Sequence, residues 1–431
     1  RPPAMYRIAP RNVFVHESVL SDKRCVARME RMMGGITPDQ PLTIVNDATL
    51  SEIARERQWG LVREWRTGQY KRTRDPDIIF HRYAWRSAQE QAAFDERYPE
   101  LRVGLLRGAG FTGFRDGRAL LERRNGICQN AHDLHSAWGC LHACDYCNIG
   151  TFLTIHLNLE EMAERLPAIL DQHRWCRLWK YDNQTDTITF EPEYGASEAM
   201  IGAFARRATP SERDDQFLML YTKSDNVEHL LDLDHRRRTI ISWTTSTETV
   251  AREIEKNSPS TSARIEAARK CQEAGYHVRA RFSPIVPVIG WRDEATRMIE
   301  EYLTRVRPDV ITMDALALLG YDRLCGCFDM ELLDPVYVEA CRAIYEAKEH
   351  PGKPYWPAGK QMFPHELRLD ILRHYVEQIR RHDAGVPISF CDETPEMWAE
   401  FSREELGHGP DDYVCTCGPD SVPGNPLLRT V

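Results

Sequence analysis

From residue 130 onward the chain alternates short apolar, β-branched runs with amphipathic helical patterns, an alternation that few folds other than a parallel βα array can satisfy. Strands are predicted at "DTITFEPEY" (186–194), "QFLMLYTKS" (216–224), "RTIISWTTS" (238–246), "YHVRARFSPIV" (276–286) and "DVITMDALALL" (309–319). Helical patterns occupy 158–173, 197–208, 260–275 and 292–306, the third closing on Gly275 as a C-terminal cap. One more strand is required near "NAHDLHSAW" (130–138), which makes six βα repeats. The expected fold is α/β, a partial (β/α)6 parallel barrel with its site at the C-terminal ends of the strands.

The flanks differ in texture. Residues 1–125 mix charge with helical patterns such as "LSEIARERQWGLVREW" and "RSAQEQAAFDERY" and read as a mostly helical N-terminal extension. The barrel is expected over 126–345. Residues 346–431 begin with a stretch rich in proline, glycine and aromatics, "HPGKPYWPAGKQMFPHE", and read as a C-terminal extension that carries further cysteines.

No apolar run approaches the roughly 20 residues that span a bilayer, and "RPPAMYRIAP" is not a secretion signal, so the expectation is a cytoplasmic protein with no membrane association. A net charge of −9 disfavours general attraction to nucleic acid. The basic clusters "DHRRRT" and "QYKRTRD" are flanked by acids and read as solvated surface. Thirteen cysteines, odd in number and clustered, point to metal rather than disulfides.

Within "HSAWGCLHACDYCNIGT" the spacing C-x3-C-x2-C places Cys140, Cys144 and Cys147 so that three thiolates can hold three irons of a [4Fe-4S] cluster, leaving one iron open. Zinc, with His142 or His135 as a fourth ligand, is the alternative. Further along stand Cys325, Cys327, Cys391, Cys415 and Cys417. Four of them, Cys327, Cys391, Cys415 and Cys417, are expected to hold a second iron–sulfur cluster, with zinc and plain reduced thiols as the other readings.

The cysteine loop, with Tyr146 before its third cysteine, resembles the radical S-adenosylmethionine (SAM) superfamily. Residues 130 to about 310 resemble its spore photoproduct lyase branch through "LYTKSDNVEHLL", "ISWTTSTETV", "RIEAARKCQEAGY" and the "GW" after the fifth strand, and "FCDETPEMW" adds to this. The resemblance implies a [4Fe-4S] cluster whose open iron chelates SAM, and reductive cleavage of SAM to a 5′-deoxyadenosyl radical. It implies Glu193 at the SAM amino group, with Pro192 standing where the family has glycine, Lys223 at the SAM carboxylate or ribose, polar contacts from Ser197 and Thr244, and Tyr146 beside the cofactor. Local readings of the same residues are a helix N-cap for Ser197 and a satisfied strand-end hydroxyl for Thr244.

Lyases of that branch carry another cysteine some forty residues past the loop, as hydrogen donor. Here that place reads "TITFEPEY", and Cys176 in "HRWCRLWKY" reads as structural. DNA repair is therefore the second reading and a non-catalytic metal-binding regulator the third. No D-x-H-x-x-G pattern points to cobalamin. Glu191, Glu193, Thr244, Thr245 and Asp314 at strand ends suit a polar, cationic small molecule. In overall character the chain resembles the cobalamin-independent radical SAM diol dehydratases of apramycin-type aminoglycoside antibiotic biosynthesis. That resemblance implies dehydration of an aminosugar such as paromamine, with a flavodoxin or ferredoxin as electron donor and a downstream reductase; the expected acid–base groups are Glu191 and Asp314, by their places at strand ends above the barrel.

Overall fold

The computed structural model describes residues 6–60, 75–147, 149, 152–211, 214–347 and 361–430. Its N-terminal part combines helices with strands that the sequence did not reveal. Helices α1 (Glu17–Leu20), α2 (Lys23–Met32), α3 (Asp47–Glu56), α4 (Ala88–Arg97) and α5 (Gly117–Arg124) are present, and capping boxes at Asn46 and Ser87 start α3 and α4. Between them run β1 (Val13–His16), β2 (Thr43–Val45), β3 (Asp77–His81) and β4 (Thr112–Arg115). β1 and β3 are short and buried on both faces, so no period-two alternation of apolar and solvated residues marks them. With β6 (Ala137–Trp138) and β7 (Phe152–His156) the first three strands form a five-stranded sheet in the order β2-β1-β3-β7-β6. The expected helical stretch 50–65 extends past α3 into residues outside the described set, as do most of 350–366 and of "QYKRTRD".

The larger sheet is the expected barrel with an extra strand at each edge. Its order is β13-β12-β11-β10-β9-β8-β5-β4, built from β5 (Ala131–Leu134), β8 (Leu178–Tyr181), β9 (Phe217–Thr222), β10 (Thr239–Thr244), β11 (His277–Ile285), β12 (Ile311–Ala315) and β13 (Ile388–Phe390). All pairs from β5 to β13 are parallel, and β4 runs antiparallel to β5. Outside them lie α6 (Leu159–Gln172), α7 (Ala196–Ala205), α8 (Thr261–Glu273) and α9 (Trp291–Arg305), and the last crossover carries α10 (Tyr321–Cys327), α11 (Pro335–Glu346) and α12 (His365–His382). Among the described residues no helix is long and apolar enough to cross a membrane.

The second barrel strand is not where sequence places it. Residues 186–194 contain a 3-10 turn, Thr187–Phe190, and the strand is "LWKY" at 178–181. Lys180 breaks the apolar pattern there. In the fold it is buried and pairs with Asp133 of neighbouring β5 at 2.5 Å, in direct register across the two strands. The "TITF" run turns because Asp182 draws it back: Thr187 Oγ1 donates to Asp182 Oδ2 at 2.8 Å. Asp182 also accepts from Ser136 N (2.7 Å), Ser136 Oγ (2.7 Å) and Ala137 N (3.2 Å), tying the end of β8 to the chain entering the cysteine loop. Replacing Asp182 by alanine orphans these buried donors, so D182A is expected to lose on the order of 3 kcal/mol of stability. Denaturant unfolding of wild type and variant checks this; a midpoint unchanged in the variant contradicts it.

Candidate functional site

The cysteine loop begins at Gly139, which has φ +99° and lies so close to Phe152 that an added Cβ would stand 2.2 Å from the Phe152 carbonyl oxygen. Only glycine fits that approach. The loop is then laced to residues 254–257, beyond β10. Asp145 N donates to Ile254 O (3.0 Å), Asn257 N to His142 O (3.1 Å) and Asn257 Nδ2 to Leu141 O (3.1 Å), while Cys144 forms an antiparallel bridge with Glu255. Lys256 Nζ pairs with Asp145 at 2.8 Å. On the other side His142 Nε2 lies 2.7 Å from Asp186 Oδ2, and Asp186 also accepts from Thr222 Oγ1 and Lys223 N. The ends of β8, β9 and β10 thus hold the loop from several directions.

Cys140, Cys144 and Cys147 all line one cavity of about 420 Å³. Burial pushes the Cys140 thiol up to about 12 and raises Cys144 as well. Buried thiols as unwilling to ionise as these become ligands when a cation bonds to them, and three reduced thiols on one short loop beside Lys223 fit a [4Fe-4S] cluster with one open iron. Lys223 Nζ sits 3.7 Å from Glu255 Oε1 and 5.7 Å from the centroid of the Tyr146 ring. Burial works against its charge; Glu255 and then Cys144 outweigh that, so Lys223 is raised above its ordinary value. Glu255 is wholly buried, pairs with Arg264 at 2.7 Å and accepts from Ser246 Oγ and the Tyr146 hydroxyl.

Of the residues expected from sequence, Tyr146, Lys223, Thr244 and Asp314 line the cavity with the three cysteines. Glu191, Glu193 and Ser197 are not among its lining residues. The Glu191 carboxylate accepts from Gly195 N (2.7 Å) and Ser197 N (2.6 Å), so it caps the start of α7. Ser197 is buried in that first turn. Glu193 lies beside the N-terminal segment, its carbonyl accepting from Arg31 Nε at 3.3 Å. All three were expected at the end of the strand that the structure places earlier, at Leu178–Tyr181. With β8 ending at Tyr181, the residues at its C-terminal end are Asn183, Gln184, Thr185 and Asp186, and these do line the cavity. "DNQTD" directly after "LWKY" is the signal that sequence reading passed over.

Arg115, Lys180, Tyr221, Arg281 and Ser283 also line the cavity, none of them singled out from sequence. The expected acidic pocket is also corrected. Arg115, Lys180, Lys223 and Arg281 outnumber Asp186 and Asp314 on the lining, although Lys180 and Lys223 are matched by Asp133 and Glu255. Cys176 donates to Leu178 O at 3.1 Å in the buried start of β8, as a structural thiol does. In the tail, Cys391, Cys415 and Cys417 share Tyr413 as a neighbour, and the fourth thiol beside it is Cys128. Cys327, the expected fourth member, ends α10, which packs on α11.

Residues 129–319 match the family model described as spore photoproduct lyase. The spore photoproduct lyase of Geobacillus sp. (strain Y412MC61) is 26% identical over 181 residues, 38% of this chain and 49% of that protein. That of Bacillus subtilis (strain 168) is 27% identical over 195 residues, 41% and 52%. The chain thus spans about half the length of the curated relatives it matches. Among solved structures, a spore photoproduct lyase variant with bound AdoMet and dinucleoside spore photoproduct superposes with a TM-score of 0.58 at 15% identity, over 91% of this chain and 99% of that one. Another variant gives 0.57 over 90% and 99%. The chain therefore has the α/β fold of the solved spore photoproduct lyases, and over residues 129–319 it matches the model of that family in sequence.

Proposed function

We propose that this chain is a radical SAM enzyme acting on a polar small molecule. The single observation that carries the reading is the convergence of Cys140, Cys144 and Cys147 with Lys223, Thr244 and Asp314 around one cavity at the C-terminal ends of parallel strands. When bound, the cluster and SAM supply a 5′-deoxyadenosyl radical on one-electron reduction. The residues around them have separable tasks. The three cysteines would hold the cluster and Lys223, kept cationic by Glu255, would take the SAM carboxylate, with Tyr146 and Thr244 lining the same cavity. Asp186 keeps the cysteine loop and the end of β9 in register.

The reaction proposed is dehydration of a vicinal diol on an aminosugar such as paromamine. It needs one proton taken from a carbinol hydroxyl and one delivered to the departing hydroxyl. Asp314 lies on the cavity wall near the Arg281 guanidinium and is placed to take the first. The Tyr221 hydroxyl, within 3.4 Å of Arg281 and kept protonated because desolvation raises it above its ordinary value, is placed to give the second. A flavodoxin or ferredoxin supplies two electrons per turnover, one for the cleavage of SAM and one that, with a proton, converts the keto radical left by the departing water into the ketone, and a reductase consumes that ketone. Incubating the anaerobic enzyme with SAM, reductant and paromamine deuterated at the carbinol carbon is expected to place deuterium in 5′-deoxyadenosine and yield a dehydrated ketone.

One observation favours a second reading, a lyase for a nucleic acid lesion. The cavity lining is more basic than acidic, and chains of the same fold are solved with dinucleoside spore photoproduct. An enzyme that ignores aminosugars under these conditions but splits dinucleoside spore photoproduct selects that reading.

A further inference from the structure

Four thiols from three distant segments meet beside the cavity. Ile127 forms an antiparallel bridge with Glu393, Ile127 N donating to Glu393 O at 2.7 Å, which brings Cys128 alongside the segment that carries Cys391. The tail is fixed against the same place. Thr416 N donates to Thr312 Oγ1 (2.8 Å), Arg279 to Thr416 O (2.8 Å), and Gln129 Nε2 to Tyr413 O (2.8 Å). Gln129 is the common neighbour: Cys128 Sγ lies 3.7 Å from its carbonyl oxygen and Cys415 Sγ 3.8 Å from its Oε1. Gly418 passes so close that a Cβ would stand 1.9 Å from Gln129 Oε1. Arg115 contacts Cys417 Sγ at 3.1 Å and Arg281 contacts Cys391 Sγ at 3.7 Å. Both arginines line the cavity that holds Cys140, Cys144 and Cys147.

We infer that Cys128, Cys391, Cys415 and Cys417 ligate a second iron–sulfur cluster in the wall of that cavity, a site independent of the substrate assigned above. A set of four sulfurs selects zinc or an iron–sulfur cluster. Spacing separates the two. Four sulfurs on one zinc, at about 2.3 Å from the metal, stand about 3.8 Å from one another. Among the described residues no three of these sulfurs lie within 4.8 Å of one another, and the same holds for Cys140, Cys144 and Cys147. In neither set do three sulfurs stand close enough together to grip a single zinc ion. All thirteen cysteines are free thiols, so no disulfide competes for these four. A cluster held by four thiolates is anionic, and Arg115 and Arg281 supply the opposing charge at the sulfurs themselves.

The test is iron, sulfide and zinc analysis of the anaerobically reconstituted full chain, with electron paramagnetic resonance after reduction. Wild type should hold about eight irons, two clusters of four, and the C140A/C144A/C147A variant about four, with a signal that SAM does not perturb. Adding Cys128→Ala and Cys417→Ala should remove the remainder, whereas adding Cys327→Ala should not. Should the triple variant fail to fold, C128A/C417A in the otherwise wild-type chain decides: its iron should fall from about eight to about four while the SAM-responsive signal persists. Four irons in wild type with none in the triple variant, or zinc in place of the second cluster, overturns the inference.

Discussion

Alanine at Cys140, Cys144 and Cys147 together is expected to abolish reductive cleavage of SAM, taking 5′-deoxyadenosine formation to the level of a no-enzyme control. The three thiols line one buried cavity, and the loop that bears them is held by backbone bonds to 254–257 rather than by the sulfurs. The variant should therefore keep its fold while losing the ligands. Chromatographic quantitation of 5′-deoxyadenosine under reducing, anaerobic conditions is the measurement, with circular dichroism to check the fold. SAM cleavage retained in a folded triple variant would end the radical SAM reading.

Glu255→Gln is expected to be the most destabilising conservative substitution at the site. The carboxylate is fully buried with Arg264 at 2.7 Å and Lys223 at 3.7 Å, and it accepts from Tyr146 and Ser246. Neutralising it leaves two buried cations without their counter-charge, a loss of about 3–5 kcal/mol where one partner of a buried pair is removed. It also frees the Tyr146 and Lys223 side of the cavity, so the affinity for SAM should fall with stability. The pH dependence has a definite sign. Burial opposes the charge on Glu255, but Arg264 and then Lys223 hold its carboxyl down to about 2 from an ordinary 4.5. A carboxylate lowered in the folded state contributes stability that is fully present above about pH 4.5 and is lost as pH falls toward 2. The difference in melting temperature between wild type and E255Q should therefore be constant from neutrality to about pH 5 and shrink below it. A difference that stays constant down to pH 3 would show that the carboxylate is not held in this way.

Much of the barrel was legible because βα periodicity is a local property. The strands at 217–222, 239–244, 277–285 and 311–315 and the four helices between 159 and 305 fall where alternation and amphipathic spacing put them. Periodicity failed where a charge on the barrel interior imitates a surface residue. Lys180 makes "LWKY" look solvated, and only its pairing with Asp133 on the adjacent strand reveals it as core. That one error moved the expected strand end from Asn183–Asp186 to the start of α7, and carried Glu191, Glu193 and Ser197 away from the cavity with it. In the first 125 residues the same logic reverses. "VFVH" and "DIIFH" are buried on both faces, so nothing in their pattern distinguishes a buried strand from a helix turn.

By itself the sequence determined the βα array and the cysteine loop, since strand and helix periods and ligand spacing are carried by residues close together in the chain. The tertiary structure alone decided which distant side chains share the cavity. Asp186 locks His142 to the ends of β8 and β9, and Glu255 anchors Tyr146 and Lys223. Arg115 and Arg281 join the wall, and Cys128, rather than Cys327, stands beside Cys391, Cys415 and Cys417. These neighbours are made by strand order and by a tail folded against Thr312 and Arg279, and a contact that depends on how remote segments pair leaves no local period to read.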